Sequence, residues 1–153
     1  MKKVVLFISG LIPFLMGYLM NWSMLTIFFD VNVPYALISV ITLLIWGLLG
    51  YFLSGYSGAH KQTVILMNLP AFIVLILNAV QLLIFKAYWL NIIGLAVQIF
   101  YLPFLNISFL LTSWSHSMLP AYIVAFILMV AASSLGCYAN KKLRYGGTDD
   151  DDR

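Results

Sequence analysis

Between Lys61 and Lys141 the chain carries one charged side chain, Lys86, set in the stretch IFKAYWLN (Ile84–Asn91). So long a run without charge cannot wrap a water-facing core, and the rest of the sequence continues in kind. It is 63% hydrophobic and 8% charged, where soluble domains carry about 25% charged residues. The solvent such a chain suits is a lipid bilayer.

A helix rises about 1.5 Å per residue and the hydrocarbon core is about 30 Å thick, so a crossing needs about 20 apolar residues. Five stretches qualify: 4–29, 35–53, 63–85, 90–111 and 119–138. The predicted fold is all-α, a polytopic transmembrane helical bundle forming one domain over residues 1–145. Short connections (VNVP, SGYSGAHKQ, KAYW, TSWSHSM) predict that successive helices are antiparallel neighbours. Pro13, Pro70 and Pro103 fall inside spans and loosen them, whereas Pro120 sits in a first turn, where a missing N–H costs least. Tyr88 and Trp89 beside Lys86 favour the headgroup region, so IFKAYWLN reads as a surface turn.

Charge and backbone solvation pull the topology in different directions. Five spans divide the cations between Lys2, Lys3 and Lys61 on one side and Lys86, Lys141, Lys142 and Arg144 on the other, with no positive-inside bias. The alternative is four spans plus a re-entrant segment at 90–111, hinged at Pro103. It gathers both termini with Lys61 and leaves Lys86 opposed. A re-entrant chain needs cover from protein or a water-filled cavity, which a crossing helix does not, and five spans is the expectation on that ground.

At the N-terminus, MKKVVLFISGLIPFLMGYLM resembles a signal peptide, but the NWSM that follows lacks a small-x-small cleavage pattern, so an uncleaved anchor is expected. GGTDDDDR (146–153) departs in composition from everything before it and reads as an expression remnant or a disordered acidic tail.

Several function classes are disfavoured. The net charge of +3 is spread over segment ends and builds no basic face for nucleic acid. Cys137 is the sole cysteine, so no intrachain disulfide forms, and a buried, inert thiol is expected. With five spans, no Asp, Glu, Lys, Arg or His lies deep in any of them, which argues against proton-coupled transport. His60 and His116 sit in loops without Cys or carboxylate partners and read as solvated, not as metal ligands. SWSHS offers no orienting acid for a nucleophile. No catalytic residue, cofactor site or metal site is assigned.

What remains is polar and small residues inside apolar segments. Asn68, Asn78 and Gln81 lie on the third segment and Gln98, Tyr101, Asn106 and Ser108 on the fourth, where Asn91, Gly94, Gln98, Tyr101 and Ser108 share one stripe. These either line a solute path with neutral dipoles or hold helices together at about 1 kcal/mol or less per bond. Gly47, Gly50 and Ser54 in the second segment, with Ala121, Ala125, Ala132 and Gly136 in the fifth, form candidate helix-packing seams, internal or toward a partner. Trp46 stands mid-span, as packing filler or as a stacking surface. If the third and fourth segments form a hairpin centred near Tyr88, equal spacing from the turn predicts two polar rungs, Asn78 with Gln98 and Asn68 with Ser108.

The expected protein is a non-enzymatic, multi-pass component of a bacterial cytoplasmic (inner) membrane. Its partners are the lipid bilayer and either further copies of itself or a larger membrane protein, for which it serves as an interaction or accessory subunit. The alternative is a small oligomeric channel or facilitator for a neutral or anionic solute, with a membrane enzyme third.

Overall fold

The computed structural model describes residues 2–26 and 34–145, with the side chains of 144 and 145 excepted. The end of the first span (27–29), Asp30 and the acidic tail lie outside the described residues. Six helices follow in order: α1 (Lys2–Ser9), α2 (Ile12–Thr26), α3 (Tyr35–Ser57), α4 (His60–Leu83), α5 (Ile92–Leu111) and α6 (Leu119–Tyr145). With α1 and α2 taken as one stretch, five are long and apolar enough to cross a membrane.

Local chemistry sets the boundaries. Pro13 has no N–H for the carbonyl of Ser9, and the first span divides just before it, at Gly10 and Leu11. Helix α3 stops at Gly58, whose left-handed φ of 72° lets its N–H return to the Ser54 carbonyl at 3.0 Å. Asn91 caps α5 by accepting from Gly94 N at 2.8 Å. Ahead of it, the turn through Lys86 is tight enough to hold that residue at φ 51°. Gln81 braces this turn from inside, its Oε1 accepting from Trp89 N at 3.2 Å. Lys86 itself is exposed, as the surface-turn reading expects.

Packing departs from the expected order of neighbours. The most extensive pairings are α3 with α6 and α2 with α5, while the consecutive pairs α3/α4 and α4/α5 meet over shorter lengths. Small residues are the cause. A Cβ added to Gly136 would lie 1.9 Å from the Gly47 carbonyl oxygen, and one added to Gly50 would lie 2.7 Å from that of Ser133. Backbones approach most closely where side chains are absent, and dispersion contacts grow with that approach.

These contacts fix helix directions. Phe126 packs on Phe72, Ser133 bonds Asn68, and Cys137 and Lys141 share a cleft with His60 and Lys61, so α6 runs antiparallel to α4. It therefore runs parallel to α3, with Gly47 against Ala132, Gly50 against Ser133 and Tyr51 against Gly136. At its other end, Met118 and Tyr122 share a cavity with Tyr88 and Asn21. Helices α5 and α6 thus both start at the Lys86 end of the bundle. Lys2 belongs to the opposite end, where its Nζ lies 5.4 Å from the centre of the Tyr56 ring.

Helix α5 descends from the Lys86 turn until the Tyr101 hydroxyl donates to the Ala71 carbonyl at 2.6 Å, near the middle of α4. Pro103 lies inside α5, which continues as one helix to Leu111. Leu105 and Phe109 line the same cavity as Tyr88 and Met118, and the chain after Thr112 rejoins the end from which α5 began. Half of the most apolar window of α5 is buried, 50% against 33% or less for the other four stretches. Phe100, Tyr101, Phe104 and Leu105 enter the core with Trp46, Met67, Ala71 and Met129. Outside that core the surface stays apolar, with Leu44, Phe52, Ile65, Ile127 and Leu135 all exposed. Such a surface suits lipid.

Candidate functional site

The polar residues of the interior gather at three places instead of along one stripe. The deepest is a chain of hydrogen bonds joining three helices. Trp46 Nε1 donates to Asn68 Oδ1 at 3.4 Å, and Asn68 Nδ2 donates to Ser133 Oγ at 2.8 Å and to its own helix at Val64 O, also 2.8 Å. Ser133 Oγ in turn donates to Val130 O at 3.1 Å. Trp46 is 1% exposed and Asn68 4%, so water reaches neither. Indole has one donor, and a buried indole needs an acceptor. That need accounts for a tryptophan mid-span, and it is a signal from which the Asn68 partner could have been sought.

The predicted rungs form in part only. Asn78 does reach across to α5 at the expected depth, but its Nδ2 donates to the Val97 carbonyl at 3.4 Å, with Val74 O at 3.2 Å as its intrahelical acceptor. Its Oδ1 makes no hydrogen bond. Gln98 is half-buried and lines a cavity of about 270 Å³ with Asn21, Tyr88, Met118 and Tyr122. The lower rung is absent: Asn68 turns to α3 and α6, and Ser108 Oγ bonds Phe104 O within its own helix at 3.0 Å. The way each side chain faces around its helix explains both departures: Asn78 meets the backbone of α5, and Asn68 faces α3 and α6. Tyr101 is spent on Ala71 O, Gln81 on the Lys86 turn, and Asn106 is half-buried, its side chain without a hydrogen bond among the described residues.

The third group lies at the α3/α4 turn. Ser54 Oγ pairs with His60 Nδ1, and Ser57 Oγ lies 2.6 Å from Thr63 Oγ1. His60 is therefore the half-buried first residue of α4, held by a seam residue, and not a solvated loop side chain. His116 is exposed. Cys137 is buried and its thiol donates to the Gly50 carbonyl at 3.3 Å. Among the described residues no group of His, Cys, Asp and Glu could hold a metal ion.

The seam residues close on the chain itself. Gly47, Gly50 and Ser54 meet the Ala132–Cys137 stretch, while Ala121 and Ala125 are fully buried in the core. Where α2 crosses α5, Gly17 lies against the Ile99 carbonyl, 1.9 Å from where a Cβ would stand. Pro103 cannot donate to that carbonyl, so its surroundings admit close backbone and no side chain.

Asn68→Leu should lower stability by about 1 kcal/mol, since an interhelical bond is worth about that much and the Trp46 N–H is left without an acceptor. Thermal unfolding in detergent measures it, and adding Trp46→Phe should recover part of the loss.

No family model matches this chain, and neither curated proteins nor solved structures give a match.

Proposed function

We propose that the chain is a non-enzymatic interaction or accessory subunit of a bacterial cytoplasmic membrane, with four crossings and α5 as a re-entrant element. The observation that carries this reading is the use made of the interior polar groups. Asn68, Asn78, Tyr101 and Ser133 bond neighbouring helices around a core closed by Trp46, Met67, Phe100 and Phe104. Side chains spent on helix contacts are not free to replace a hydration shell. The burial of α5 supports its re-entrant course, because irregular membrane topology is tolerated where protein covers it.

Charge supports the orientation. Lys2, Lys3, Lys61, Lys141 and Lys142 gather at one end and Lys86 stands at the other, which by the positive-inside rule makes the first end cytoplasmic. The small-residue seam is occupied by α3 and α6 themselves, so a partner meets another apolar face.

A facilitator is the second reading, favoured by the cavity that Asn21, Gln98 and Tyr88 line at the Lys86 end. Proteoliposomes separate the two. Under the first reading they pass small neutral or anionic solutes no faster than empty vesicles, and mild detergent yields a homo-oligomer or a stoichiometric partner. Flux that disappears in Gln98→Leu or Asn78→Leu would establish the facilitator instead.

A further inference from the structure

Two clefts between α4 and α6 share Val64 and Ile65 and join into one crevice. The upper cleft, of about 360 Å³, lies at the Lys61 end, and its rim carries Lys61, Lys141, His60 and Tyr138. The lower one, of about 240 Å³, runs on toward mid-depth between Leu69, Phe72, Phe126 and Val130. The crevice is therefore cationic at its mouth and apolar along its length. Both lysines and Ile65 are exposed, so the crevice opens to the outside of the bundle. No carboxylate lies among the described residues to neutralise the two lysines.

We infer that this crevice binds an anionic phospholipid, its phosphate between Lys61 and Lys141 and an acyl chain along Ile65, Phe72 and Phe126. Charge complementarity selects the headgroup, since basic pockets between membrane helices at the cytoplasmic surface attract anionic lipid. The trough selects a lipid over a free phosphate, which would leave the apolar length unused. A peptide fits worse, because its backbone groups would find no partners at that depth. His60 adds a polar wall, its Nδ1 already held by Ser54.

The inference rests on the membrane reading, and one preparation tests both. The full chain is first floated with phosphatidylcholine vesicles; failure to co-float overturns the membrane reading itself. Co-floating protein is then released into mild detergent with equimolar phosphatidylglycerol and phosphatidylcholine, and bound lipid is counted by native mass spectrometry. Phosphatidylglycerol should be retained about thirtyfold over phosphatidylcholine, as expected for two lysines near one phosphate. Lys61→Gln with Lys141→Gln should abolish that preference, and Lys86→Gln, at the far end, should keep it. Inorganic phosphate in excess should displace no lipid. Equal retention of both lipids, an unchanged preference in the double variant, or displacement by phosphate would each overturn the lipid site while leaving the membrane reading intact.

Discussion

Gly136→Ala should destabilise the bundle by about 3 kcal/mol, at the upper end of what overpacking usually costs. The added methyl would stand 1.9 Å from the Gly47 carbonyl oxygen and 2.9 Å from the Tyr51 amide nitrogen. Both are backbone atoms, so no rotamer change relieves the clash, and α3 and α6 must move apart along their longest shared face. A graded series follows from the same geometry. Gly50→Ala meets the Ser133 carbonyl at 2.7 Å, and Gly47→Ala meets that of Ala132 at 3.2 Å, so the losses should fall in the order Gly136, Gly50, Gly47. Cys137 supplies the readout, being the sole cysteine, buried, and bonded to the Gly50 carbonyl across this seam. Its reaction with a maleimide on heating in detergent reports when the helices part. A Gly136→Ala protein that unfolds with the wild type would mean that α3 and α6 do not meet in this way.

The seam was legible because glycine and alanine at helical spacing have one principal use in lipid, the close approach of backbones. The helices and the Lys86 turn were legible from length, apolarity and the Lys-Ala-Tyr-Trp run. Depth was partly legible too. Counting from the turn placed Asn78 opposite residue 98, and the atom it reaches belongs to residue 97. Which way a side chain faces around its helix was not, because rotation is settled by packing against helices distant in sequence. Hence Asn78 meets a backbone carbonyl while Gln98 lines another cavity. Ser133 escaped notice for a related reason: in AASSLG a serine reads as one more small residue, and its role as acceptor depends on α4 lying alongside.

The direction of α6 was the costliest gap. A twenty-residue apolar segment such as 92–111 meets the length criterion for a crossing, and nothing local to it says at which end of the bundle α6 begins. The signal was global. Placing Lys141 and Lys142 with Lys61 restores a charge bias that five crossings erase, and the pairing of α6 with α4 agrees with that bias. Under the proposed re-entrant course the backbone cost, the argument for five crossings, is met by burial of Phe100, Tyr101 and Phe104 of α5 in the core.

Single cysteines at four positions, in a Cys137→Ser background, test the proposed return of α5 most directly. An impermeant maleimide is applied to right-side-out and to inverted membrane vesicles. The account predicts that Lys61→Cys and Lys141→Cys label together from the cytoplasmic face and that Lys86→Cys and His116→Cys label together from the opposite face. If His116→Cys labels with Lys61→Cys, and Lys141→Cys with Lys86→Cys, then α5 crosses the membrane and the re-entrant account is wrong.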